Sequence, residues 1–169
     1  MTTPKTSAPI HEGDLSNSLM LVHNIYNHES PRLLCVLFDS VGARTMIHRR
    51  ALPNGVNTMW LDKKMRMTTV AGFYESVGEV LLQNIRLPEL DKNRIVNNQI
   101  ALVFDSDCRY NMILGSDLLQ RSGIDIKYST GRVEWFGNNI LLREAPRVET
   151  YEEYFKIFID DYLSHMEDE

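Results

Sequence analysis

Several familiar architectures are ruled out by what this sequence lacks. Only two cysteines occur in 169 residues, Cys35 and Cys108, with no C-x-x-C pair and no zinc spacing. Both stand in or beside apolar, strand-like runs, so two buried free thiols in a reducing compartment are expected. No apolar run approaches the ~20 residues that a bilayer crossing needs. No apolar stretch follows the opening "MTTPKTSAPIHEGD" to make it a signal peptide. Cytoplasmic residence without a membrane partner is therefore the expectation. A basic excess is missing as well: 18 Lys and Arg stand against 23 Asp and Glu, a formal net charge of -5. That argues against nucleic acid as the main partner, because phosphate binding needs a positive surface. His48-Arg49-Arg50 remains as a local basic patch, read as a solvated turn.

Nucleotide, metal and serine chemistry lack their patterns too. His11, His23, His28, His48 and His165 show no H-E-x-x-H or paired spacing. Asp105-Ser106-Asp107 is a D-x-D of the kind that arises by chance. No G-x-S-x-G surrounds Ser40, and Gly42, Gly72 and Gly78 form no phosphate loop. No cofactor and no metal is expected.

What is present is a globular composition, 43% hydrophobic and 24% charged, in a length that suits one domain with tails. Residues 1–18 are rich in Thr, Pro, Ser and Gly without periodicity and read as a disordered arm. Residues 19–145 form the domain. "LMLVHNIY" and "RLLCVLF" read as strands separated by the turn-like "NHESP". "TMIHRRAL" suits a strand or a short helix. "MRMTTVAG" and "SVGEVLLQNIRL" make a hairpin with Gly72 near its turn, which Pro88 and "ELDKNR" close, and the Met-rich "MWLDKKMRM" before it reads as core and hairpin-base packing. "QIALVFD" is a further strand. In "MILGSDLLQRSG", Met112 to Leu114 are buried-strand types. Ser116 and Asp117 are N-cap candidates for a short helix that Gly123 stops. "IDIKY-STG-RVEWFG-NN-ILLRE" alternates as a β-meander with two tight turns. Residues 146–169 differ: Tyr151, Tyr154, Phe155, Phe158, Ile159 and Tyr162 recur at helical spacing, capped by Thr150, in an acidic amphipathic helix.

One stretch asks for a chemical explanation. Cys35 to Phe38 run apolar straight into Asp39, and a buried carboxylate is costly unless it is paired or used. "LFDSVGARTMI" resembles the active-site strand of retropepsin-like aspartic proteases, the protease domains of retroviruses and long-terminal-repeat retrotransposons. Their pattern is an apolar strand, Asp-Thr/Ser-Gly-Ala, and an apolar residue a few positions on. Asp39, Ser40 and Ile47 match it. Downstream, "YNMILGSDLL" resembles the second signature of that family, two apolar residues and a Gly before a helix, matched by Ile113, Leu114 and Gly115 with Asp117 in the helix. The hairpin around Gly72 lies where the family keeps its flap. The likeness covers about Leu19 to Arg143; each motif is short, and their order and spacing make them specific together.

The resemblance implies an all-β, closed retropepsin-like barrel with a short helix after Gly115 and the C-terminal amphipathic helix. It implies an aspartic endopeptidase that cuts extended segments of a retroelement polyprotein. Two carboxylates share one proton in such a site. A chain with one Asp-Ser motif must take the second Asp from another copy, so the resemblance implies a homodimer with catalytic Asp39 and Ser40 from each subunit, Ser40 tying the two loops together. By the same resemblance, Val41, Gly42, Ala43, Val70, Ala71, Gly72, Phe73 and Ile113 contact the peptide. Asp105, only eight residues before Ile113, is read as a strand end rather than a second half-site.

The motif departs from the family at one point. From Asp39 to Ile47 is eight positions, the spacing of the uninterrupted motif, so Val41 substitutes for the motif Gly and Gly42 stands at the usual Ala; a local bulge that gives Gly42 the Gly role is the alternative. A β-branched residue there is expected to crowd the peptide and stiffen the loop. The rival expectation is accordingly a catalytically inactive domain that dimerises or binds peptide without cutting it. A third, a small-ligand β-barrel, leaves Asp39-Ser40 unexplained.

Overall fold

The structure, a computed structural model, describes residues 17–24, 33–52, 55–69, 72–108 and 110–142, together with Glu152, Lys156 and Asp160. Its strands are β1 (Asn17–Asn24), β2 (Leu33–Phe38), β3 (Met46–His48), β4 (Thr58–Thr69), β5 (Gly72–Leu82), β6 (Ile85–Leu87), β7 (Asp91–Val96), β8 (Gln99–Phe104), β9 (Met112–Leu114), β10 (Ile124–Lys127), β11 (Arg132–Trp135) and β12 (Asn138–Leu141). A 3-10 turn, Arg49–Ala51, follows β3, and one short helix, α1 (Ser116–Ser122), follows β9.

The strands form two sheets. Nine are ordered β4-β5-β8-β3-β9-β2-β1-β6-β7, and β10-β11-β12 form a separate meander. The expected closed all-β barrel is thereby overturned: this is a mixed arrangement of open sheets with a short helix. The terminal strands β4 and β7 do not pair with each other, and their composition gives the reason. Asp62, Lys63, Lys64 and Arg66 on β4, and Lys92, Asn93 and Arg94 on β7, are exposed, and charged residues keep a strand edge in water.

The centre of the large sheet is buried on both faces, and strand alternation divides its residues. Leu34, Val36 and Phe38 of β2 enter one cluster with Ile47, Ala101, Val103, Met112, Leu114, Leu118, Val133 and Trp135. Cys35 and Leu37 enter a second with Met46, Tyr74, Leu102, Phe104, Tyr110 and Ile113. Continuous apolar runs at β2, β8 and β9 are what two buried faces require.

β9 threads between β2 and β3, parallel to the first and antiparallel to the second. Asn111 fixes its entry. The Cys35 amide donates to Asn111 Oδ1 at 2.7 Å, the Asn111 amide donates to the Cys35 carbonyl at 2.8 Å, and the His48 amide donates to the Asn111 carbonyl at 2.7 Å.

Several local expectations need correction. "ELDKNR" does not end the hairpin unit; it contributes β7, which pairs with β6. The second meander turn falls at Phe136-Gly137, both with positive φ (48° and 86°), and the two asparagines after it open β12. Two consecutive left-handed residues make a tight turn that matches sheet twist. Of the Met-rich stretch, Met59, Trp60 and Met65 are exposed, and only Met67 packs partly on a core. Cys35 is buried as expected, while Cys108 is only partly so. "IHRR" is not a simple solvated turn: His48 is buried, and Arg50 Nη2 donates to the carbonyls of Cys108 and Tyr110. Arg49 stacks over Trp60 at 4.7 Å.

Glu152, Lys156 and Asp160 are helical and exposed, at the four-residue spacing of one helix face. The apolar face expected for that helix, and residues 1–16 of the expected N-terminal arm, lie outside the described residues. Among the described residues no helix is long and apolar enough to cross a membrane.

Candidate active site

Asp39 begins where β2 ends. Its amide donates to the Leu114 carbonyl at 2.9 Å, extending the β2–β9 ladder by one bond past Phe38. The backbone then folds back on its own carboxylate: the amides of Val41 and Gly42 both donate to Asp39 Oδ1 at 3.0 Å. Asp39 has no exposed surface. The carboxylate at the end of the apolar run is thus held by two backbone donors in a charge-assisted geometry. The amides of Val41 and Gly42, the two positions open to the role of the motif Gly, thus both meet the carboxylate.

This loop is fastened to β9 and α1 from the other side. The Ser116 amide donates to the Gly42 carbonyl at 2.7 Å. Thr45, fully buried, donates through Oγ1 to Asp117 Oδ1 at 2.7 Å and accepts from the Gly115 amide at 3.2 Å. Gln99 Nε2 donates to Asp117 Oδ2 at 3.2 Å, and Arg44 Nε lies 3.8 Å from the same oxygen. Neither Ser116 nor Asp117 is the N-cap of α1. Gly115 holds that position without a side-chain cap, and Gly123 at φ 75° ends the helix. Asp117 instead ties the first turn of the helix, through Thr45, to the loop that follows Asp39.

Val41 stands 67% exposed beside Asp39. It is not among the described non-glycine residues with positive φ, which are Asn84, Asn98 and Phe136. A β-branched residue is therefore accommodated without left-handed strain, and its isopropyl group projects outward. Ser40 is exposed, and its Oγ lies 2.5 Å from the Tyr128 hydroxyl. Ala43 is exposed and Gly42 buried. Ile113, expected at the peptide, has no exposed surface and packs in the second cluster. Asp105 is the exposed residue that directly follows β8.

The hairpin expected as a flap is longer than its sequence pattern, pairing Thr58↔Val80 at one end and Thr69↔Gly72 at the other. Its tip residues Val70 and Ala71 lie outside the described residues. Near the tip, Phe73 is exposed under the Arg66 guanidinium at 4.1 Å. Tyr74 and Met67 anchor the hairpin on the cluster that holds Leu37 and Ile113.

His48 lies on the far side of β3. Its Nδ1 accepts from the Arg50 amide at 3.0 Å, so its Nε2 carries the proton that meets the Ser106 carbonyl at 3.0 Å. Burial, then the nearby Arg50 charge, push its pKa below the ordinary value, against the Ser106 contact and Asp105 and Asp107.

Sequence reasoning singled out Asp39, Ser40 and the Gly115 signature but passed over Thr45, Asn111 and Tyr128. Their partners lie 72, 76 and 88 residues away, and no local pattern announces such pairings.

No protein-family model matches the sequence, and no curated protein matches it. Among solved structures, the chain is similar to the retroviral protease-like domain of Ddi1 from Leishmania major. The match has a TM-score of 0.50 and 16% identity, and covers 78% of this chain and 98% of that one. At that identity the likeness is one of fold. The chain shares the fold of a retroviral protease-like domain.

Proposed function

We propose that this chain is one half of a two-chain aspartic endopeptidase of the retroelement type, cutting extended, mostly apolar segments of a polyprotein in the cytoplasm. The observation that carries the reading is the Asp39 carboxylate at the end of a doubly buried strand, held through Oδ1 by the amides of Val41 and Gly42. The fold shared with a retroviral protease-like domain supports it.

One such carboxyl per chain calls for a second copy. Two carboxyls brought together cannot both ionise, so they hold one proton between them. The ionised member takes a proton from water as the oxygen attacks the scissile carbonyl, and the protonated member gives its proton to the carbonyl oxygen. The cradle of amides fixes Asp39 in place for that exchange. Val41, Gly42 and Ala43 would form the floor of the peptide path. The hairpin of β4 and β5, near Phe73, would close over it, with the substrate lying as an added strand.

A second reading keeps the fold and loses the cutting. It is favoured by Val41, whose exposed side chain projects at the motif position where the resemblance expects Gly. The deciding experiment is a peptide-library cleavage assay over roughly pH 4 to 7, the range a shared-proton pair requires. Cleavage that is lost in Asp39→Asn and blocked by a pepstatin-type inhibitor establishes the protease. Absence of cleavage from a folded dimer favours the fold without the cutting, and peptide binding to that dimer then completes the second reading.

A further inference from the structure

A shared proton requires that oxygens from two chains come within hydrogen-bond distance. The single chain does not present its half in that form. Asp39 is wholly buried. Ser40, the hydroxyl that the two-chain reading needs to join the loops, is already bonded within its own chain to the hydroxyl of Tyr128. Either hydroxyl can be the donor of that bond, and in both cases the tyrosine oxygen holds a place beside Ser40 Oγ for which the partner loop must compete.

Tyr128 belongs to the turn between β10 and β11. That turn is closed by the Thr130 and Gly131 amides, which donate to the carbonyls of Lys127 and Tyr128 at 3.2 and 3.3 Å. It caps a meander that shares no strand with the nine-stranded sheet. The tyrosine is 51% exposed and can swing away from Ser40 without breaking a ladder bond. Ser40, Val41 and Tyr128 together form a small exposed surface at the mouth of the site.

We propose that Tyr128 is a latch on chain pairing: in the lone chain it holds the Ser40 hydroxyl and keeps the meander turn against the Asp39 loop, and a second copy docks only when it lets go. This rests on the two-chain reading of Asp39. The competitor is chemically specific, a second copy of the same loop that offers its own backbone and hydroxyl to Ser40. Each chain releases one such bond on pairing, so the latch weakens dimer formation by about two- to tenfold per bond.

The test is sedimentation velocity across a dilution series for the wild type, Tyr128→Phe, Ser40→Ala and the double variant, with circular dichroism to verify folding. Peptide cleavage is measured in parallel, with Asp39→Asn as control. Tyr128→Phe keeps the ring and removes only the hydroxyl; Tyr128→Leu serves if the Phe variant does not fold. The latch predicts that Tyr128→Phe dimerises at a several-fold lower concentration than the wild type. It also predicts that the same change on the Ser40→Ala background shifts nothing further. Dimerisation of Tyr128→Phe at an equal or higher concentration than the wild type overturns it, as does a monomer in both. The parent reading fails separately, if no chain shows cleavage that depends on Asp39 whatever its dimer affinity.

Discussion

Gly115 and Arg44 approach so closely that a Cβ on the glycine would stand 2.5 Å from both the carbonyl carbon and the carbonyl oxygen of Arg44, and 2.9 Å from the Thr45 nitrogen. This contact presses the entry of α1 onto the loop that carries Asp39. It is also the physical reason for a glycine after the two apolar residues of β9: the neighbour is backbone, which cannot rotate aside as a side chain can.

Gly115→Ala should therefore destabilise the chain by about 3 kcal/mol, the upper range for overpacking a rigid site. Urea denaturation measures it. A loss below about 0.5 kcal/mol would show that the two segments separate freely, and the tight approach would explain nothing.

Asp117 and Thr45 should be energetically coupled. Asp117→Ala leaves the buried Thr45 hydroxyl without its acceptor and should cost about 2 kcal/mol. Thr45→Val removes the same bond from the other side. A double-mutant cycle should return a coupling of about 1 kcal/mol, and additive single effects would deny the link between helix and loop.

His48 predicts a slope of stability with acid. Its pKa is lowered in the folded chain by burial and by Arg50, so the unfolded chain takes up the proton first. Its contribution is complete above the ordinary histidine value near about 6.5 and is lost as pH falls below it toward the folded pKa. Urea midpoints between about pH 7.5 and 5 should fall more steeply for the wild type than for His48→Gln. Equal slopes would mean that the ring protonates as readily folded as unfolded.

Val41→Gly should raise peptide cleavage by about tenfold or more, equivalent to about 1.4 kcal/mol of barrier, if the isopropyl group crowds the peptide. Val41 is exposed and carries no positive-φ strain, so stability should drop only by the about 0.4–1 kcal/mol of extra unfolded-chain entropy. A folded Gly variant with unaltered turnover removes Val41 from the account of activity.

The parts legible in the sequence are those written locally. β2, β8 and β9 stand out because two buried faces demand unbroken apolar runs. Gly123 is marked by its place after a short apolar helix. Asp39 is conspicuous because an acid at the end of such a run needs a reason. Other features hid for physical causes. β7, "DKNRIV", reads as a charged terminator because an edge strand has to be polar. The turn at Phe136-Gly137 was displaced from the asparagines because an aromatic residue there adopts a left-handed conformation that its type seldom does. Closure of the sheet depended on which distant strands meet, and the charges on β4 and β7 are the only local trace that they do not.

The threading of β9 between β2 and β3 also sets an order of events. The Asp39 loop is braced by Leu114 and Ser116, so residues 39 to 42 have no folded form until the chain has been synthesised past the start of α1 and its central strand has slotted home. Contacts of that sequence separation are slow to make. A ribosome-bound fragment that ends before β9 would expose two unmatched apolar strands and possess no site. The cradle around Asp39 is thereby a product of the late strand, not of the segment that carries the carboxylate.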